Sequence, residues 1–131
     1  LFDTFEGMPE TDPTLDFHRR GDFEDTSLAS VMGFVGDHKY ISYHKGTIPE
    51  TFVGLEDSMI TFAHIDVDIF KSVKDCCEFI YPKMRIAGGV IVFDDYGFPS
   101  CPGALLAVDQ FFVDKKHIPL VLQTGQAVVF L

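Results

Sequence analysis

The segment FAHIDVDIF, Phe62 to Phe70, ends an apolar run with His64, Asp66 and Asp68 at alternate positions. Carboxylates two residues apart suit a hard divalent cation or the nucleophile of a phosphoryl transfer. They also suit no chemistry at all, as the polar end of a buried strand. A second acidic pair, Asp94-Asp95, closes the apolar run GGVIVF 28 positions after Asp66. If the two runs are neighbouring strands, about 4.8 Å apart, carboxylates from both approach one ion together. Oxygen-only ligation without a nearby cysteine favours Mg²⁺, Ca²⁺ or Mn²⁺ over zinc. The plain alternative is that strand-end aspartates cap the next helix or face water. Asp68, two residues further on, is expected to be the N-cap of the helix carrying Lys71 to Lys83. His64 shares a strand face with Asp66, either touching a ligand or sitting in the core with a hydrogen-bond partner. Asp3 closes the first apolar fragment, where an acid in a nucleotide-binding sheet holds ribose hydroxyls.

These residues need a scaffold that brings strand ends together. Met59–Ile65 and Gly88–Phe93 are apolar at successive positions, which predicts strands buried on both faces of a parallel sheet. Between them Phe70, Val73, Cys77, Ile80, Tyr81 and Met84 recur at spacings of three and four, the pattern of a one-faced helix. The unit is β-α-β, and its right-handed crossover sets the carboxyl ends of both strands on one edge. Ligands in open α/β sheets bind beyond that edge. A further helix is predicted from Pro102-Gly103 through Phe112, then two short strands, Pro119–Leu122 and Gln126–Leu131, joined at Thr124-Gly125. Upstream, Thr26 or Ser27 caps a helix through Leu28, Val31, Met32 and Val35, and Lys39–Tyr43 reads as a strand. Residues 6–25, rich in Pro, Asp and Gly, read as a long loop. The expectation is one α/β domain over residues 1–131, a Rossmann-like three-layer sandwich. Its sheet is mostly parallel, with an antiparallel C-terminal hairpin.

The chain has 131 residues, 47% hydrophobic with 14 phenylalanines, enough for one modest core. Twenty acidic against ten basic side chains give a formal charge of −10, which opposes nucleic-acid binding and suits cations. Cys76, Cys77 and Cys101 form neither a disulfide framework nor a C-x-x-C knuckle, and read as reduced core residues of a cytoplasmic protein. The apolar runs are strand-sized, which predicts no membrane span.

The segments FDTFEGMPE, GTIPETF, FAHIDVDIFKSVKDCCEFIYPKM, GGVIVFDDYG and TGQAVVFL resemble the macrocin O-methyltransferase family over most of the chain. That resemblance implies a class I methyltransferase using S-adenosylmethionine and a divalent metal, usually Mg²⁺, to methylate a hydroxyl of a sugar or natural-product acceptor. It implies Asp66, Asp94 and Asp95 as metal ligands and Asp94 as general base. Asp3 is implied at the cofactor ribose, with Gly46 and Thr47 beside the adenine; His64 is placed with the cofactor-binding residues. The family's first strand and glycine-rich cofactor loop belong before Leu1, so the chain is expected to be a partial domain. Catechol O-methyltransferase has a similar metal arrangement, and its lysine corresponds here to Ile69. Two other readings stand beside this one. A Mg²⁺-dependent phosphatase of haloacid dehalogenase type matches DVD and FDDYG, although its D-x-D strand normally opens the domain and 28 residues leave room for only one helix. A non-catalytic Rossmann-like binding domain would keep the fold without the cofactor half. The acceptor pocket is expected to be bordered by Phe98, Pro99 and the 6–25 loop. The oligomeric state is left open, a homo-oligomer included.

Overall fold

The computed structural model describes residues 1–85 and 88–131. Chain order runs β1 (Phe2–Asp3), α1 (Leu28–Val35), β2 (His44–Lys45), β3 (Phe62–Ile65), α2 (Phe70–Ile80), β4 (Val90–Phe93), α3 (Pro102–Phe112), β5 (Leu120–Val121) and β6 (Ala127–Phe130). Single 3₁₀ turns at Glu50–Phe52 and Tyr81–Lys83 precede β3 and follow α2. β1 and β2 form a two-stranded parallel sheet; the other four make a sheet in the order β3-β4-β6-β5. β3 and β4 are parallel in register, Phe62 opposite Val90 and Ile65 opposite Phe93. β6 is antiparallel to both β4 and β5. Three of the four strands therefore point one way, and β6 alone is reversed beside the far edge.

Side-chain alternation divides the larger sheet into two unlike faces. Ile65, Ile91, Phe93, Ala127 and Val129 are buried in one core with Val73, Cys76, Cys77 and Ile80 of α2 and Ala104, Ala107, Val108 and Phe112 of α3. Burying one such aliphatic or aromatic side chain contributes about 1.5–3 kcal/mol, so this face holds the two helices to the sheet. The opposite face carries Phe62 and Phe130, both about 60% exposed, with His64, Val90, Val92 and Val128 between them. Among the described residues no element covers it, because α2 and α3 share the first face and α1 buries none of its residues. The expectation of strands buried on both faces thus fails for the described chain, which supplies a sheet and one helical layer.

Ser27 caps α1 in a reciprocal pairing with Ser30, as its position predicts. The strand expected at Lys39–Tyr43 is found immediately after that range, at His44–Lys45. Residues 38–41 close a turn through Ile41 N–H to the His38 carbonyl, and pairing with β1 begins only at His44. Residues 6–25 form the expected loop, folded on itself by Met8 N–H to the Asp22 carbonyl and Gly21 N–H to the Met8 carbonyl.

Candidate functional site

β1, β2 and β3 end at one place, and a cavity of about 120 Å³ opens there. Asp3 and Thr4 follow from β1, Gly46 and Thr47 from β2, and Asp66, Val67 and Asp68 from β3; Gly7, Met8, Pro9 and Phe23 of the loop form the far wall. A whole ligand pocket encloses about 300–1,000 Å³, so this cavity suits part of a ligand. Parallel pairing sends β1 and β2 out of their small sheet in one direction, and the carboxyl end of β3 lines the same cavity.

Asp3, Gly46, Thr47 and Asp66 are thus gathered on one wall system. Asp3 Oδ1 accepts the Phe5 N–H at 2.6 Å, which fixes the carboxylate and leaves Oδ2 free of protein donors among the described residues. Gly46 sits at φ +146°, and a Cβ there would meet Thr51 Cγ2 at 2.9 Å, so this position requires glycine. Its N–H binds the Asp3 carbonyl at 2.9 Å, and Thr47 Oγ1 donates to Glu50 Oε2 at 2.8 Å.

At the carboxyl ends of β3 and β4, oxygens of Asp66, Asp68 and Asp95 lie within 4.8 Å of one another. Asp95 is buried, and its Oδ2 accepts the N–H groups of Val67 at 3.2 Å and Asp68 at 2.9 Å. Burial, reinforced by the charges of Asp68, Asp66 and Asp94 and opposed by the Asp68 N–H, pushes the Asp95 carboxyl up to about 6. Partial burial of its carboxylate raises Asp66 as well, followed by the charges of Asp94 and Asp68. Among the described residues no lysine or arginine forms an ion pair with any of these four aspartates; the basic side chains near them are His18, beside Asp68, and His64, beside Asp94. Clustered carboxylates without a counter-ion, all of them oxygen donors, fit a hard divalent cation.

Asp94 points elsewhere. Its Oδ1 accepts from Gln126 Nε2 at 2.9 Å and lies 3.3 Å from His64 Nε2, outside the three-carboxylate group. Of the three aspartates expected to share an ion, the structure converges Asp66 and Asp95 and adds Asp68. His64 is partly exposed and faces Asp94, away from the cavity lining. Gln126, the donor to Asp94, arrives from the C-terminal hairpin, a contact that sequence separation conceals.

Asp68 is not the N-cap of α2. Ile69 occupies that position without a side-chain bond, and the Phe70 N–H is taken at 2.8 Å by Asp16 Oδ1, from 54 residues away. The cause is backbone geometry: Asp68 has φ +57°, which turns its carboxylate from the helix axis toward Cys101 Sγ at 3.4 Å and His18 Nε2 at 3.7 Å. Asp16 and His18 lie in the aperiodic loop, where sequence offers no signal for either. Ile69 is fully buried and has no reach into the site. Phe98 packs over Gly125, with ring atoms 3.5 Å from where a Cβ would stand there, and is outside the cavity lining.

The order of these features along the chain matches a known family: the model of macrocin-O-methyltransferase (TylF) aligns with residues 1–124. The chain belongs to the macrocin-O-methyltransferase family. Membership displaces the phosphatase reading of the D-x-D pair. A curated relative from Streptomyces olivaceus, 8-demethyl-8-(2,3-dimethoxy-α-L-rhamnosyl)-tetracenomycin-C 4′-O-methyltransferase, is 25% identical over 116 residues, covering 79% of this chain and 43% of its own. The O-methyltransferase NovP superposes with a TM-score of 0.83 at 21% identity, over 98% of this chain and 57% of NovP. The calicheamicin methyltransferase CalS11 superposes at 0.75 with 20% identity, over 98% and 58%. These likenesses establish the class I methyltransferase fold, and the chain spans about half the length of the relatives it matches. No helix among the described residues is long and apolar enough to cross a membrane. All three cysteines are free and buried.

Proposed function

We propose that this chain serves S-adenosylmethionine-dependent, divalent-metal-dependent O-methylation of a hydroxyl on a sugar or natural-product acceptor, and that it works in the cytoplasm. The observation behind this reading is the shared cavity, which gathers Asp3, Gly46 and Thr47 with the carboxylates that follow β3. Two family or fold relatives are named for methylation of rhamnose hydroxyls, at 4′ of a rhamnosyl tetracenomycin and at 3′ of TDP-rhamnose. A deoxysugar on a small natural product or nucleotide is accordingly the favoured acceptor class.

Within this reading Asp3 accepts hydrogen bonds from a ribose diol through Oδ2, while the Phe5 N–H holds Oδ1 in place. Gly46 lets the backbone approach the adenine closely, and Thr47 extends the same wall. Asp66 and Asp95 would hold the metal, with Asp94 outside their group. A bound divalent cation supplies Lewis acidity that lowers the pKa of an acceptor hydroxyl, and bound S-adenosylmethionine supplies an electrophilic methyl group. Asp94 would accept the proton that leaves the acceptor hydroxyl, and His64 at 3.3 Å and the Gln126 amide keep its carboxylate oriented.

The decisive experiment incubates the purified protein with S-adenosylmethionine and a panel of rhamnosylated or nucleotide-linked deoxysugars and follows S-adenosylhomocysteine and methylated sugar by mass spectrometry. Turnover should vanish on chelation and return with Mg²⁺ or Mn²⁺. Full turnover in chelator would remove the metal from the mechanism, and absence of product across the panel would remove the sugar acceptor.

A further inference from the structure

Beside the carboxylate group, and sharing Asp68 with it, lies a second cluster whose His18 and Cys101 methyl transfer does not use. His18 Nε2, Asp68 Oδ1 and Cys101 Sγ come from three separate segments: the 6–25 loop, the turn after β3 and the residue before α3. Sγ is 3.4 Å from Asp68 Oδ1 and 3.7 Å from His18 Nε2, and Nε2 is 3.7 Å from Oδ1. Zinc bonds of about 2.3 Å to sulfur and about 2.0–2.1 Å to nitrogen or oxygen set tetrahedral edges of about 3.5–3.6 Å from sulfur and about 3.3–3.4 Å between nitrogen and oxygen. The three observed separations lie within a few tenths of an ångström of those edges, so a shift of that size closes one face of a tetrahedron.

Two further contacts support a metal over a hydrogen-bonded trio. His18 Nδ1 lies 3.3 Å from Asp22 Oδ2, the carboxylate–histidine pairing that fixes the tautomer and aims Nε2 at a cation. Ser100 Oγ lies 3.4 Å from Cys101 Sγ, placed to donate to a thiolate. Asp68 reaches the cluster only because its backbone adopts φ +57°, a conformation that is costly for a residue other than glycine. The mixed sulfur, nitrogen and oxygen set differs in kind from the all-oxygen group next to it, and selects a borderline-soft ion. A nucleophilic role for Cys101 fits less well, because its residue is 3% exposed.

We propose that His18, Asp68 and Cys101 form a zinc site, completed by water, which ties the 6–25 loop to the carboxyl edge of the sheet. Its existence does not depend on methyl transfer. Zinc there would hold Met8, Pro9 and Phe23 against the cavity and so order the wall facing Asp3 and Asp66.

Metal analysis of the purified protein after equilibration with Zn²⁺ and gel filtration tests this directly. The expected result is one zinc per chain, lost in Cys101→Ser and in His18→Ala and retained in Asp66→Asn, with affinity about 10–100-fold weaker in Asp22→Asn, whose side chain only orients a ligand. Co²⁺ in place of Zn²⁺ should give a thiolate charge-transfer band that Cys101→Ser abolishes. Circular dichroism establishes that each variant is folded before loading. Absence of bound zinc in the folded parent protein, or zinc and cobalt signals unchanged in folded Cys101→Ser, would overturn the site.

Discussion

Substituting Gly103 by alanine separates a general rule from a local contact. Within a helix that change ordinarily stabilises by up to about 1 kcal/mol, since alanine loses less backbone entropy. Gly103 lies in the first turn of α3, and a Cβ there would stand 2.0 Å from Asp16 Oδ1 and 2.8 Å from the Phe70 nitrogen. Both distances are far inside contact, and Asp16 Oδ1 is the atom that accepts the Phe70 N–H at 2.8 Å and caps α2. Asp16 is only 6% exposed, with its other oxygen on the Asp12 N–H, so its carboxylate has little room to withdraw. Losing a hydrogen bond to a charged acceptor costs about 1.5–3 kcal/mol. Offset by the helix gain, the net destabilisation is about 0.5–2 kcal/mol, or roughly 2–10 °C in Tm for a chain of this size.

Urea and thermal denaturation of wild type, Gly103→Ala, Asp16→Ala and the double variant measure this. Asp16→Ala should cost about 1.5–3 kcal/mol by losing the same bond, and Gly103→Ala should cost less once Asp16 is gone, the remainder coming from the Phe70 backbone nitrogen 2.8 Å from the new methyl group. Gly103→Ala as stable as wild type would refute the contact. Costs that simply add in the double variant would show that the methyl group acts somewhere other than Asp16.

Asp94→Asn should lower kcat by at least about 10²-fold, the scale of a lost general base, and leave S-adenosylmethionine affinity within about twofold; isothermal titration and steady-state kinetics separate the two. Asp3→Ala removes a charged acceptor worth about 1.5–3 kcal/mol, so cofactor Kd should rise roughly 10–150-fold with a smaller effect on saturated turnover. With chelator present, Asp95 makes stability fall as pH rises from about 4 to about 6: its folded pKa of about 6 lies above the unfolded value, so the folded state binds the extra proton in that window. The span from about 4 to about 6 corresponds to roughly 3 kcal/mol at full effect, and solvent screening of the partly open site brings the loss to about 2 kcal/mol. Asp95→Asn should flatten the Tm–pH profile there, and Mg²⁺ should restore stability at pH 7; a profile unchanged by both would remove Asp95 from the charge cluster.

Local pattern reaches some of this architecture and stops where contacts become long-range. The spacing of Val73, Cys77 and Ile80 is enough to draw α2, and the two apolar runs flanking it are enough to pair β3 with β4. The position of β2 is not local, because two residues of Phe2–Asp3 choose their partners by register, and the more β-inclined Lys39–Tyr43 is set aside for a turn. Continuous apolarity in β3 and β4 says that both faces favour burial. It does not say whether the same chain provides the cover, and Phe62 and Phe130 stand exposed among the described residues.

The site divides along the same line. Asp66 and Asp95 were readable as partners because a β-α-β crossover dictates that consecutive parallel strands end together, whatever the loops do. Asp68 was misplaced because residue type makes aspartate a good cap, whereas here a single positive φ angle turns it around and a loop carboxylate from Asp16 takes the vacated donor. That exchange joins the two halves of the site. The same loop that caps α2 through Asp16 carries His18 two residues later, and the same turn that frees Asp68 from capping delivers it to His18 and Cys101. A substitution that breaks the Asp16 cap should therefore weaken the His18–Asp68–Cys101 cluster without touching any of its members. Zinc affinity measured in Asp16→Ala decides this, because a loop anchored independently of α2 would leave that affinity at the wild-type value.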